Sequence, residues 1–172
     1  ANGYISQDEY IAIIKHADSL GIAVIPEIES PGHGRAAIEA MKLRARRTGA
    51  DSWLLSEAAD TSRYTSAQAF HDNVMNPALP GSYKLMSMVA DEIADMHRRA
   101  GVELPAIHIG GDEVPRNAWG GSPAVKEMME REGLKSEKEV HAYFVRRVAD
   151  DFAKKGIKIS GWQEIALRHS DE

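Results

Sequence analysis

Three short strand-like segments divide the chain, and each is followed at once by glycine, proline, aromatic or ionisable residues. The segments are the apolar runs 22–25 and 106–109 and the stretch 157–161, and each is short enough to be a strand. Amphipathic helical patterns lie between them. This alternation predicts an α/β fold with a parallel sheet, in which the polar residues that follow each strand gather at one edge.

Helix starts are marked by capping signals. Ser6 and Ser136 each precede a glutamate by three residues, which is the spacing of a capping box. Ser122 and Pro123 offer an N-cap followed by proline at the first helical position. A further helix is predicted to begin near Arg35. These signals and the helical periodicity place a helix before the first predicted strand and helices between successive strands.

A long connection spans residues 42–82, where the helical periodicity fails and prolines and polar residues dominate. Long connections within a compact domain are usually functional loops. Two alternatives remain open for this segment. It either lines the rim of a cleft or is a mobile loop.

The central run ends in two glycines, two adjacent carboxylates and, after one valine, a proline. Gly110 and Gly111 allow a turn, so Asp112 and Glu113 need not point to opposite faces and can share one pocket. Two close carboxylates do not both ionise readily, so one can donate a proton while the other stays anionic. Taken alone, the pair could equally be a surface cap for the next helix.

Composition excludes several classes of function. At 172 residues, with 43% apolar and 27% charged residues, the chain is long enough for one globular domain. The net charge of −5 and the lack of a basic run predict no nucleic-acid partner, and no apolar run has membrane-spanning length. There is no cysteine, which excludes disulfides and thiol catalysis. No glycine-rich phosphate loop is present, and no cofactor is expected. The first residue is alanine rather than methionine, which predicts a segment of a longer protein.

Five ordered motifs resemble one enzyme family. The stretch His108-Ile109-Gly110-Gly111-Asp112-Glu113-Val114 resembles the signature of the family 20 glycoside hydrolases, the β-N-acetylhexosaminidases. Residues 24–33, 76–80, 119–123 and 161–165 are similar to further family elements. The resemblance covers essentially the whole chain. One departure is Glu29, where the family often has aspartate, and this leaves the role of that residue open.

The resemblance implies a partial (β/α)8 TIM barrel, in which residues 1–172 are a single segment that looks like strands three to five with their helices. It implies hydrolysis of terminal β-linked N-acetylglucosamine or N-acetylgalactosamine with retention, in which the substrate's own acetamido oxygen attacks the anomeric carbon. The partner is therefore a glycan with a terminal N-acetylhexosamine. The setting implied for the complete enzyme is periplasmic, secreted or lysosomal, and the compartment of the segment itself is left open.

The resemblance also implies roles for individual residues. Glu113 matches the general acid, and Asp112 matches the residue that orients and polarises the acetamido group. His33 matches a histidine that contacts the acid, and Trp162 matches an aromatic residue that lines the acetamido pocket. No metal ligand is implied.

Other roles compete with these assignments. His33 could be a turn histidine that bonds to the backbone, and Trp162 could be a core residue at a strand end. Glu27 is either substrate-facing or a structural carboxylate. Trp119, a candidate for substrate binding, is expected to pack rather than stack on a sugar. His108 is expected to be a core histidine.

Two alternative classes of function are kept. A metal-dependent barrel hydrolase would use His33, His108, Asp112 and Glu113, but metal spacing motifs such as H-E-x-x-H are absent. A carbohydrate-binding or structural module would not need an acid such as Glu113. Three strands cannot close an eight-stranded barrel. We therefore expect the isolated segment to be inactive and to self-associate through its open edges.

Overall fold

A computed structural model describes residues 3–167 and contains one sheet of three parallel strands in the order β1–β2–β3. The strands are β1 (Glu27–Ser30), β2 (Ile107–Gly110) and β3 (Ile159–Ser160). The helices are α1 (Gln7–Ser19), α2 (Arg35–Thr48), α3 (Pro80–Ala100), α4 (Pro123–Glu132), α5 (Glu137–Ala153) and α6 (Glu164–Leu167), with a short 3-10 helix at Asp51–Trp53. The predicted fold class, three parallel strands with flanking helices, is confirmed. Within residues 3–167, no helix combines the length and apolarity needed to cross a membrane.

The helices begin close to the predicted capping signals. At α1 the Ser6 hydroxyl accepts the N–H of Glu9, and the Glu9 carboxylate accepts the N–H of Ser6, which completes the capping box. At α5 the reciprocal bond is displaced by one residue. Ser136 accepts from the N–H of Glu139, but the Glu139 carboxylate accepts the N–H of Lys135 at 2.8 Å. Both arrangements satisfy backbone donors that a helix start leaves unpaired.

The first strand lies further along the chain than its apolar run predicted. Residues 22–25 were expected to be a strand covered on both faces, but Ile22 and Ile25 are 56% and 51% exposed. The strand begins at Glu27 because that residue pairs with His108 of β2, and the apolar run precedes this pairing. β3 is also shorter than its predicted run, since it pairs with β2 at only two positions.

The sheet has one apolar face and one polar face. Ile107 and Ile109 of β2 are buried against helices α3 and α5. This core comprises Tyr83, Met86, Ala90, Ile93, Ile107, Ile109, Phe144, Val145, Val148, Phe152 and Ile157. Full burial of a large apolar side chain contributes about 1.5–3 kcal/mol. Because side chains alternate along a strand, His108 and its partner Glu27 lie on the opposite face, which would be the interior of a closed barrel.

The long connection is bonded to the loop that follows β1. Since α2 runs to Thr48 and α3 begins at Pro80, the connection outside these helices is residues 49–79. Its last part bonds to the loop after β1. The N–H of Met75 donates to the carbonyl of Pro31 at 2.7 Å, and the N–H of Gly34 donates to the carbonyl of Asn73 at 2.8 Å.

Candidate active site

The backbone turns sharply where β2 ends. Gly110 and Gly111 have φ values of +70° and +92°, a region that favours glycine. A Cβ atom on Gly110 would overlap the Glu29 carboxylate, and one on Gly111 would overlap Ile165. Glu113, at φ +48°, is also left-handed. The two glycines therefore let β2 pass close to its neighbours and bring both following carboxylates to one edge of the sheet.

The structure brings together the three residues to which catalytic roles were assigned. Nε2 of His33 lies 3.6 Å from Oδ2 of Asp112 and 3.5 Å from Oε2 of Glu113. The side chains of His33 and Asp112 are about one-fifth exposed, whereas that of Glu113 is 47% exposed. A protonated imidazole here would interact favourably with both carboxylates. Glu113 is the more exposed of the two carboxylates and is therefore the one that a ligand can reach.

A third carboxylate, Glu29, lies behind this group. Oε2 of Glu29 and Oδ1 of Asp112 are both buried, and neither has a hydrogen-bond partner among residues 3–167. Burial and, after it, the negative charge of Asp112 together raise the pKa of Glu29 to about 7. Glu29 can therefore hold a proton near neutral pH and share it with Asp112.

Trp162, Glu27 and His108 form a second group on the polar face of the sheet. The indole N–H of Trp162 donates to Oε1 of Glu27 at 2.9 Å, and Nδ1 of His108 lies 3.0 Å from the same oxygen. The rings of His108 and Trp162 meet edge to face, with centroids 5.1 Å apart. Trp162 is 49% exposed. Glu27 thus fixes the indole by its N–H edge and leaves part of the ring open to a ligand.

Trp119 lies apart from both groups. It is 2% exposed, it packs in a core with Val114 and Val125, and its indole N–H donates to the carbonyl of Met75 at 3.0 Å. This burial favours the packing role for Trp119 over contact with a sugar. The indole also helps to anchor the end of the 49–79 connection.

Sequence reasoning missed one contact at the site. Nε2 of Gln68 donates to Oε2 of Glu113 at 2.8 Å. Gln68 belongs to the 49–79 connection, where no motif and no periodicity distinguished it. Glu29 carried a usable signal, since it stands two positions after Glu27 in β1 and therefore shares the polar face of that strand.

One donor atom each from Glu29, His33 and Asp112 lies within 4.8 Å of the others. A cation could use such a set, but the two unpaired carboxylate oxygens suit a shared proton equally well. Two residues of this set, His33 and Asp112, are also among the four that a metal-dependent hydrolase would use. His108, another member of that alternative, is directed to Glu27 instead.

Comparison with known proteins places these features in a family. A model described as glycosyl hydrolase family 20, catalytic domain, matches residues 1–172. A β-hexosaminidase of Vibrio vulnificus is 34% identical over 172 residues, which cover 95% of this chain and 20% of that protein. A β-hexosaminidase of Vibrio furnissii is 37% identical and is matched over 99% of this chain and 25% of its own length.

A solved structure agrees with these matches. The exo-β-N-acetylglucosaminidase of Vibrio harveyi, in complex with N-acetylglucosamine, superposes with a TM-score of 0.81 at 41% identity. The match covers 94% of this chain and 23% of that one. The chain therefore spans about a fifth to a quarter of the length of these relatives.

Proposed function

The chain belongs to the catalytic domain of glycosyl hydrolase family 20, and on this basis we propose that it forms part of a retaining β-N-acetylhexosaminidase. The substrate is a glycan with a terminal β-linked N-acetylglucosamine or N-acetylgalactosamine. The observation that carries the proposal is the convergence of Asp112, Glu113 and His33 at the carboxyl end of the sheet. A complete barrel that contains residues 1–172 is called the full-length enzyme below.

The proposed reaction has two steps. In the first, Glu113 protonates the glycosidic oxygen, while the acetamido oxygen of the substrate attacks the anomeric carbon and the leaving alcohol departs. Asp112 accepts the acetamido N–H and stabilises the positive charge of the cyclic intermediate. In the second step Glu113, now ionised, removes a proton from water as the water opens the ring. The two displacements at one carbon give net retention.

The second group of residues suits the acetamido end of the sugar. Trp162 offers a half-exposed ring, and Glu27 holds that ring by its N–H edge. An aromatic wall excludes water from the acetamido group, which strengthens the interaction of that group with Asp112. Glu27 therefore acts as a positioning residue for the indole rather than as a direct contact to the sugar.

The isolated 172-residue chain should not perform this reaction. Among residues 3–167, β1 and β3 each pair with β2 alone, so each keeps one unpaired edge. Residues 4–25 include six exposed large apolar side chains, which are Tyr4, Ile5, Ile13, Leu20, Ile22 and Ile25. Open edges and apolar surface of this kind favour association. We propose that the isolated chain self-associates and is inactive.

Substitution of the acid tests the proposal. In the full-length enzyme, Glu113→Gln should remove most hydrolysis of aryl β-N-acetylglucosaminides with poor leaving groups, because an amide cannot donate the proton. General acid catalysis typically contributes about 10²–10⁴-fold. The loss should be smaller for leaving groups that need little protonation.

Glu127→Gln, an exposed exchange on α4, is the matched control and should leave hydrolysis unchanged. Equal loss for all leaving groups would contradict the assignment of Glu113. A chelator that abolished activity would instead favour the metal-dependent alternative. Sugar binding by an enzyme without any turnover would favour the binding-module alternative.

A further inference from the structure

Glu113 has little packing to hold its side chain in one position. It is 47% exposed, and its backbone lies in the left-handed region at φ +48°. A flexible carboxylate loses rotamer freedom when it is fixed, and a general acid is effective only within hydrogen-bond reach of the oxygen that it protonates. The site therefore needs a group that restrains this carboxylate.

The turn that carries Gln68 is well bonded. The N–H of Ser66 donates to the carbonyl of Phe70 at 2.8 Å, and the N–H of Ala69 donates to the carbonyl of Ser66 at 2.9 Å. The hydroxyl of Ser66, a residue only 5% exposed, accepts the N–H of Phe70 at 3.1 Å. Ala69 occupies the left-handed region at φ +62°. These bonds close a tight loop with Gln68 at its tip.

The same turn is tied to the start of α2. The guanidinium of Arg35 lies 4.8 Å from the ring centroid of Phe70, and its Nε donates to Asp72 at 2.8 Å. A further contact joins the two ends of the turn, since Nδ1 of His71 lies 2.6 Å from the carbonyl of Tyr64. Helix α2 directly follows the loop that carries His33. The turn and His33 are therefore both connected to the start of the same helix.

We propose that Gln68 is a positioning residue that restrains the general acid. Its amide holds Oε2 of Glu113 at 2.8 Å, and His33 lies 3.5 Å from the same oxygen. The restraint directs the other oxygen, Oε1, to carry the proton to the glycosidic oxygen. This inference rests on the proposed role of Glu113 as the acid and adds a residue from the part of the 49–79 connection that lies outside the motif at residues 76–80.

The charges around Glu113 set the direction of the expected pH effect. His33 faces it directly, Asp112 contacts the same histidine, Glu29 is grouped with His33 and Asp112, and the Arg35–Asp72 pair lies next to the turn that carries Gln68. An amide donor favours the ionised form of a carboxyl group. Loss of the donor should therefore move the basic limb of the pH profile to higher pH. A negatively charged carboxylate in place of the amide should move the basic limb to still higher pH.

The test compares Gln68→Met and Gln68→Glu in the full-length enzyme. Gln68→Met keeps the length of the side chain and removes the donor, so kcat/KM for a poor leaving group should fall roughly three- to tenfold. KM should change little, and the basic limb of kcat/KM should shift upward. Gln68→Glu should give the larger upward shift. The matched control is Gln7→Met, which removes a 2.8 Å amide bond from α1 to the Glu92 carboxylate of α3 and touches none of the site residues.

The outcomes separate this inference from the proposed function. If Glu113→Gln loses hydrolysis of poor leaving groups while both Gln68 variants keep their rates and pH limbs, the positioning role is overturned and the proposed function stands. A rate loss that is equal for all leaving groups, without a shifted limb, also overturns it, since a merely structural residue would behave in that way. A Glu113→Gln enzyme that hydrolyses aryl glycosides with poor leaving groups at the unsubstituted rate would overturn the proposed function itself.

Discussion

Replacement of Glu29 by glutamine should change how the stability of the fold depends on pH. Burial, together with the charge of Asp112, raises the pKa of Glu29 from 4.5 to about 7. The folded state therefore binds this proton more tightly than the unfolded state, and stability falls as the pH rises from 4.5 to 7. A difference of about 2.5 in pKa corresponds to at most about 3.4 kcal/mol. Because the side chain is partly solvated, about half of that, roughly 1.5 kcal/mol, is a realistic magnitude.

The substitution removes the charge and supplies a donor for the unpaired oxygen of Asp112. At pH 5 the two proteins should have similar free energies of unfolding. At pH 8 the Glu29→Gln chain should be the more stable by roughly 1.5 kcal/mol. Urea unfolding of both chains at one protein concentration measures the difference, so that any association affects them alike. The exposed Glu127→Gln is the matched control. A Glu29→Gln chain that is less stable at pH 8 than at pH 5, in parallel with the unsubstituted chain, would refute the reasoning.

Three further predictions concern function and packing. Asp112→Asn should slow the full-length enzyme and weaken binding of thiazoline inhibitors that mimic the cyclic intermediate; equally tight binding would give Asp112 another role. Trp119→Phe should cost about 1–3 kcal/mol of stability, because it leaves the buried carbonyl of Met75 unpaired. The kcat/KM of the full-length Trp119→Phe enzyme should be unchanged, and a raised KM would indicate that Trp119 contacts the sugar. The isolated chain should scatter light as an oligomer and not turn over a chromogenic N-acetylglucosaminide; an active monomer would contradict the open-edge argument.

The arrangement of the site follows from the sequence where it depends on local rules. Residues that end parallel strands meet at one edge, which is why His33, Asp112 and Glu113 could be placed together. The α1 capping box at Ser6 was predictable because a capping box is local in sequence. Trp162 could be placed beside the site for the same reason as the carboxylates, since it follows β3.

Other features depend on pairings between distant segments. The first strand was placed on the apolar run 22–25, whereas the register with β2 places it at Glu27–Ser30. Gln68 reaches Glu113 across 45 positions of sequence through a turn held by side-chain contacts. Neither the register nor the path of the 49–79 connection is encoded in a local pattern, so propensity and periodicity could not reveal them.

In the proposed mechanism, the substrate itself supplies the nucleophile at the Asp112–Glu113 site. The most direct measurement is kcat/KM of the full-length enzyme on a series of aryl glycosides in which the acetyl methyl group carries zero, one, two or three fluorine atoms. Fluorine withdraws electrons from the acetamido oxygen and weakens its attack on the anomeric carbon. Attack by the acetamido oxygen predicts that kcat/KM falls steeply and progressively along the series, and that the matching aryl β-glucoside, which lacks the acetamido group, is not hydrolysed. Rates that stay level along the series, with the glucoside cleaved equally fast, would contradict it.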